Sequence, residues 1–301
     1  MGLEASASEG VEAWLEEGRS WSEAELVRVM VELEGTPQVL ADAMRHALLS
    51  GGKRLRPSLV RLFCEAAGGA DEDARAPAVA IEMVHTYSLV HDDLPCMDDD
   101  DVRRGQPTVH RKWDEATAVL AGDALLTEAF GLLSTCTEAG VLCGVLARAA
   151  GSAGMVGGQV LDLEVELESL PRGERLDAVE AVAATKTAAL FGAACELGWV
   201  AGGGLEETRD AARTYGQELG MLFQATDDMI DVTGTADGLG KTPGKDERLE
   251  RPSLVAAVGL TGAQERAEER AAMVRGAAQA VGLSAGHPAF ELVGLLLART
   301  K

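Results

Sequence analysis

Two groups of aspartates and a few isolated cations are the residues of this chain able to do chemistry. The first group is Val90-His91-Asp92-Asp93-Leu94-Pro95-Cys96-Met97-Asp98, running on through Asp99, Asp100 and Asp101. The second is Phe223-Gln224-Ala225-Thr226-Asp227-Asp228-Met229-Ile230-Asp231. On a helix, Asp227 and Asp231 stand at i and i+4 on one face, with Asp228 beside them and Gln224 one turn earlier. Like charges at that spacing destabilise an isolated helix. The neighbours Met221, Leu222, Phe223, Met229 and Ile230 are apolar, which predicts a largely buried helix. Carboxylates buried there require positive charge nearby. A hard divalent cation such as Mg2+ suits oxygen ligands shared with water and phosphate. In the first group Asp92 and Asp93 close a helix that is apolar over Val84, Leu89 and Val90. Pro95 turns the chain out of that helix, and Asp98 returns from the loop, so three carboxylates can converge despite their spacing. A run of acids is more commonly a solvated surface, and Asp99 to Asp101 read equally well that way. The case for a site rests on both groups together and on the cations near them.

Lysine is scarce: Lys53, Lys112, Lys186, Lys241, Lys245 and Lys301 are the whole set. Where arginine is the usual cation, a lysine marks a place that wants a compact ammonium. Gly51-Gly52-Lys53-Arg54-Leu55-Arg56-Pro57 puts three cations at a glycine-rich helix junction, suited to an anionic group. Thr185-Lys186-Thr187 begins an apolar, small-residue helix, and Gly240 to Lys245 form a Gly/Pro loop after the second aspartate group. Arg103-Arg104-Gly105 follows the first group directly. The spacing of a P-loop is absent. Each motif alone reads as a helix end with a solvated cation. Together they offer acids for metal ions and cations for phosphate oxygens, as two diphosphates bridged by Mg2+ require.

Elements must position these groups. The 301 residues are 47% hydrophobic and only 4% aromatic, with a net charge of −22. That composition supports a large core, leans helical and excludes general disorder. The acidic balance argues against nucleic acid as a partner and against a polybasic membrane contact. Helices are expected from Trp21 to Gly35, Pro37 to Ser50, Pro57 to Gly68 and about 74–93, with Pro57 well placed in a first turn. More are expected at about 111–138, 141–169, 175–202, 205–234, 252–260, 263–281 and 287–300, and no strand is expected. Residues 1–20 read as a frayed acidic segment and 21–301 as one all-α domain of about ten helices. Gly157-Gly158, Ala188-Ala189 and Gly192-Ala193-Ala194 would permit close helix approach, or merely reflect a biased composition. Five scattered cysteines suggest a reducing compartment, with no disulfide framework or zinc site. With no signal peptide or uninterrupted apolar span in view, the expectation is a cytoplasmic protein without stable membrane insertion.

The combination resembles the trans-isoprenyl diphosphate synthases, the farnesyl and geranylgeranyl diphosphate synthase family. The likeness runs from about Gly51 to about Asp246. His85-Thr86-Tyr87-Ser88 through Asp98 is similar to the family's first Asp-rich motif in its longer form, followed by Arg103-Arg104-Gly105-Gln106-Pro107-Thr108. Gly122-Asp123-Ala124-Leu125-Leu126, Gly157-Gly158-Gln159, Lys186-Thr187 and Gln224 to Asp231 follow in the family's order. The resemblance implies an all-α bundle around a deep central cavity, usually a homodimer, with three Mg2+ ions per site. It implies that Lys53, Arg56, His85 and Arg104 hold isopentenyl diphosphate. Arg103, Lys186, Thr187, Gln224 and Lys241 would contact the allylic diphosphate. Asp92, Asp98 and Asp227 would ligate metal, with Asp93, Asp228 and Asp231 in support, and these acids with Lys186 and Lys241 form the catalytic set. Asp246 to Ser253 departs from the family, being shorter and lacking its Lys and Tyr. Tyr87 and Ser88, five and four residues before Asp92, would form the floor that limits product length, and the ring of Tyr87 favours fifteen carbons over twenty. A class I terpene cyclase or a non-catalytic synthase subunit are the competing readings. The first needs no second diphosphate site, and the second could lose its metal ligands.

Overall fold

A computed structural model describes residues 2–31, 35–233 and 252–299. The helices are α1 (Gly2–Val31), α2 (Gln38–Leu48), α3 (Leu55–Ala66), α4 (Asp71–Asp92), α5 (Val109–Lys112), α6 (Glu115–Ser134), α7 (Ala139–Ala150) and α8 (Met155–Glu164). They continue as α9 (Arg172–Val182), α10 (Ala189–Ala201), α11 (Glu206–Thr233), α12 (Leu254–Ala280) and α13 (Pro288–Ala298). The fold is all-α, as the composition implies. α10 lies at its centre, buried continuously from Leu190 to Trp199, and packs on α3, α4, α7 and α11. α4 packs on α3 and α6, and α11 on α12. The Tyr215 hydroxyl donates to the Ala289 carbonyl at 2.6 Å, pinning α13 to α11.

Small residues do set the helix spacing. A Cβ on Gly198 would lie 2.2 Å from the Val60 carbonyl oxygen, and one on Gly216 2.2 Å from that of Phe191. Only glycine lets α10 approach α3 and α11 this closely.

Several expected boundaries shift. α1 runs through the segment expected to fray: Val11 is 3% exposed, and Trp14 and Leu15 pack on the core. Those apolar residues at i, i+3 and i+4 form a core-facing stripe that the surrounding acids disguise. The span 141–169 divides at Gly151–Gly154, and 175–202 is interrupted by a π-helical turn at Ala183–Ala188. The two segments expected at 252–281 join in α12, kinked at Gly259 with φ of 74°. Two short strands were not expected: β1 (Val102–Arg103) pairs antiparallel with β2 (Gln106–Pro107). Their turn residues Arg104 and Gly105 have φ of 53° and 74°, the pattern of a tight I′ hairpin. Three helical stretches, 115–134, 139–164 and 172–201, are long and apolar enough by length and composition to cross a membrane, contrary to the sequence expectation. Half or less of each window is buried within the chain.

Candidate active site

α4 delivers Asp92 and Asp93 at its last turn, both buried. The chain then folds back on that end: the Asp98 amide donates to the Asp92 carbonyl at 2.8 Å, and the Asp100 amide to the Asp93 carbonyl at 3.2 Å. This loop brings the third acid of the motif beside the first two. The hairpin that follows returns Arg103 to Asp93, with Nε 2.7 Å and a terminal nitrogen 2.6 Å from one carboxylate oxygen. Burial pushes the Asp93 carboxyl up and Arg103 opposes that shift.

Across from Asp92 stands the π-helical turn. Lys186 Nζ lies 3.9 Å from Asp92 Oδ2 and donates to Asp162 Oδ2 at 2.7 Å. The other Asp92 oxygen accepts from Gln159 Nε2 at 2.9 Å. Gln159 and Asp162 share one face of α8 at i and i+3. Gly158 lets α8 reach this turn, since a Cβ there would lie 2.2 Å from the Lys186 amide nitrogen. A π turn commonly marks a functional site; here it aims Lys186 and Thr187 at the two aspartate groups. Thr187 donates to Gln224 Oε1 at 2.9 Å, and Gln224 Nε2 donates to Asp228 Oδ1 at 2.8 Å. The π turn thus faces both aspartate groups, Lys186 toward Asp92 and Thr187, through Gln224, toward Asp228.

On α11, Asp228 is buried and its other oxygen accepts the Leu254 amide at 2.7 Å, capping the start of α12. Burial pushes its carboxyl up to about 6, against the pull of these two hydrogen bonds. Asp227 pairs with Arg299 at 3.0 Å, and Asp231 is exposed at the solvent end of the helix. Lys241 lies outside the described residues, as does most of the divergent stretch after Asp246.

The three cations of the Gly51–Pro57 junction separate. Arg54 turns inward with φ of 48° and meets Glu23 at 2.7 Å, Glu82 at 2.6 Å and the Leu48 carbonyl at 2.6 Å. It is a structural ion pair, a correction to the reading of all three as anion ligands. Lys53 and Arg56 remain. The Arg56 guanidinium lies over the Phe191 ring at 4.5 Å, and its buried Nε has no partner. Burial, reinforced by Arg104, lowers its pKa to about 10. Arg104 donates to the Gly51 carbonyl and is lowered by burial and by neighbouring arginines. A Cβ on Gly52 would lie 2.7 Å from the Arg104 guanidinium carbon, so that glycine makes its room. His85 is held well below its usual range by burial and by Arg56 and Arg104. Lys53 sits 5.5 Å from the Phe223 ring centroid and is lowered by burial and by Arg299. Desolvation is thus the largest cause that lowers all four of the expected residues Lys53, Arg56, His85 and Arg104.

Tyr87 is buried on α4, its ring edge-on to His91 at 5.8 Å. His91 Nε2 lies 3.0 Å from the Val119 carbonyl oxygen of α6. Gly122 makes room for it, since a Cβ there would lie 2.1 Å from Nε2. Ser88 donates to the His85 carbonyl of its own helix.

Roles for Gln159, Asp162 and Arg299 escaped the sequence reading. Gln159 and Asp162 were traceable as polar residues at i and i+3 on an otherwise apolar helix. Arg299 lies 72 positions beyond Asp227 and had no local signal.

The donors fit a divalent metal: they are all oxygens, and the upward shifts of Asp93 and Asp228 show carboxylates too desolvated to carry charge comfortably alone.

An all-α bundle that brings two aspartate groups and a set of buried cations to one region is the class of protein that the fold and site define. The sequence profile of the family described as "Polyprenyl synthetase" matches residues 37–282, and the chain belongs to that family. It is 44% identical over 241 residues to the large subunit 1 of a heterodimeric geranylgeranyl pyrophosphate synthase of Arabidopsis thaliana, covering 77% of this chain and 65% of that protein. A geranylgeranyl pyrophosphate synthase of Capsicum annuum is 44% identical over 240 residues, covering 77% and 64%. The chain therefore spans just under two thirds of the length of these relatives. Among solved structures, an FPP/GFPP synthase from Zymomonas mobilis superposes with a TM-score of 0.80 at 34% identity, covering 97% of this chain and 99% of that one. A geranyltransferase from Legionella pneumophila gives 0.81 at 29% identity, covering 97% and 98%.

Proposed function

We propose that the protein is a trans-prenyltransferase that condenses isopentenyl diphosphate with an allylic diphosphate in a Mg2+-dependent reaction. The observation that carries this reading is the pairing of two environments: one π turn whose Lys186 faces Asp92 and whose Thr187 links through Gln224 to Asp228, and a separate buried Arg56 beside Arg104 whose Nε has no acceptor. The charges are arranged for two different diphosphates, which a terpene cyclase does not need.

Asp92, Asp98 and Asp227 would hold Mg2+, three ions per site, and the metal would supply charge neutralisation of the allylic diphosphate as it leaves. Arg56, Arg104 and Lys53 bind the diphosphate of isopentenyl diphosphate, whose negative charge offsets the repulsion between Arg56 and Arg104. His85 stays neutral there and contributes a hydrogen bond rather than a charge. Lys186, Thr187, Gln224, Arg103 and Lys241 orient the allylic diphosphate. The buried site keeps water from the allylic cation formed on cleavage of its C–O bond. The alkene of isopentenyl diphosphate, held within a few ångströms, attacks that carbon. A proton then leaves toward the departed diphosphate.

Tyr87, fixed by His91 against α6, limits the chain to fifteen carbons in this reading. The second reading, a twenty-carbon product, is favoured by the names of the plant relatives. A cytoplasmic homodimer completes the proposal. Its test is incubation with dimethylallyl, geranyl or farnesyl diphosphate plus isopentenyl diphosphate and Mg2+, with chromatography of the products. Farnesyl diphosphate is expected, and Tyr87→Ala should lengthen it. No isopentenyl-dependent product from any of the three removes the reading.

A further inference from the structure

α8 touches both Asp92 and Lys186, an acid and a cation that face each other at the first aspartate group. Its Gln159 donates to one oxygen of Asp92 at 2.9 Å, leaving the second oxygen facing Lys186 Nζ at 3.9 Å. One turn later Asp162 accepts from that same ammonium at 2.7 Å. Asp162 is nearly enclosed, with its side chain 8% exposed, and Lys186 is 23% exposed. A shift of about 1.2 Å would bring Lys186 as close to Asp92 as it now is to Asp162. An ammonium on a flexible four-carbon stem makes that move readily.

We propose that Asp162 is a positioning residue that holds the Lys186 ammonium off Asp92, keeping the second Asp92 oxygen available to a divalent cation while leaving Lys186 beside the diphosphate site. This rests on the prenyl-transfer reading for the use of the metal, but the device itself is a property of the unliganded chain. Without Asp162, the strongest anion within reach of Lys186 is Asp92. A monovalent cation then caps the metal ligand, and a divalent ion must displace it. The geometry of α8 supports a dedicated role. Gln159 and Asp162 share one face, so a single rigid helix fixes both the carboxylate and the lysine. Gly158, between α8 and the π turn, permits the approach that puts Asp162 within hydrogen-bond distance. The i, i+3 placement also separates the tasks: Gln159 orients Asp92 without neutralising it, and Asp162 neutralises Lys186.

The test is Mn2+ binding to the full chain without diphosphate, followed by water-proton relaxation. Asp162→Asn is nearly isosteric and should weaken Mn2+ binding about tenfold or more, as loss of a residue orienting a metal ligand does. The same change in a Lys186→Met background should have no further effect, because the lysine that Asp162 restrains is gone. Asp162→Glu, which keeps the anion, should retain most of the affinity. Equal Mn2+ affinity in Asp162→Asn and the parent overturns the proposal. So does a loss of affinity that persists in full in the Lys186→Met background, which would make Asp162 a partner of the metal itself. If Asp162→Asn fails to fold, Asp162→Ser gives the same reading. Prenyl-product assays separate this from the functional proposal. Coupling between Asp162 and Lys186 without prenyl transfer sinks the functional reading alone, and prenyl transfer without the coupling sinks only the role of Asp162.

Discussion

Arg54 and Arg56 are two residues apart on one helix start, yet they live in opposite electrostatic environments. Arg54 is wholly buried with three close acceptors, from Glu23, Glu82 and Leu48. Arg56 has a buried Nε with no acceptor, and burial outweighs the attraction of Glu82 and lowers its pKa to about 10. The same division recurs elsewhere. Glu196, buried against Arg148 and Arg209, belongs to the satisfied class. A satisfied buried charge holds the fold together; an unsatisfied one near a surface opening is poised for something that arrives from outside. Charge type alone does not distinguish the two.

Substitutions can test that division. The largest effect on folding should come from Arg54→Met, which strands Glu82 in the interior. Breaking a buried pair from one side costs about 3–5 kcal/mol, and chemical denaturation should show it. Arg56→Met should cost little or no stability in the same assay, because no pair is broken. Its effect appears instead as a rise in KM for isopentenyl diphosphate of about 10–100-fold, the worth of a hydrogen bond to a charged group. If both variants lose the same stability, the contrast between them is wrong.

A smaller effect concerns pH. In the metal-free protein the Asp228 carboxyl titrates at about 6, against roughly 3.9 in an unfolded chain. Between those values the folded state binds the extra proton, so this group's contribution to stability falls as pH rises from about 4 to 6. The change is at most ~2 kcal/mol. Asp93, also raised, adds in the same direction. His85, lowered in the folded state, opposes them, because acid protonates it only on unfolding. The difference in stability between Asp228→Asn and the parent, measured from pH 4 to 7, isolates the aspartate. A difference that does not change with pH would contradict the buried placement of Asp228. The smallest expected effect is Ser88→Ala, which removes only a hydroxyl bonded within its own helix. It should change stability by less than about 1 kcal/mol; a longer product would support the expected place of Ser88 in the floor, and an unaltered one would leave that role to Tyr87.

Much of the site was legible because its signals are local. The DD-and-D spacing of the first group, the i, i+4 pattern of the second and the rare lysines all lie within a few residues of one another. The all-α reading followed from helical periodicity and few aromatics. α1 was misjudged because acids flanking Val11, Trp14 and Leu15 concealed a narrow apolar stripe. The β1–β2 hairpin was missed because two-residue strands carry no periodicity. Gly105 was the one local clue to its turn; Arg104 beside it takes a positive φ uncommon for a residue with a side chain, and the turn returns Arg103 to Asp93.

The sequence by itself determined which groups could bind metal and phosphate, since the acids and cations come in compact motifs whose chemistry is fixed by residue type. Only the tertiary structure decided which charges are already spent. Glu82 claims Arg54 from 28 positions away, Asp162 claims Lys186 from 24, and Arg299 reaches Asp227 from 72. Coulomb attraction depends on distance in space and on burial, and neither can be read along the chain when the partners come from different helices.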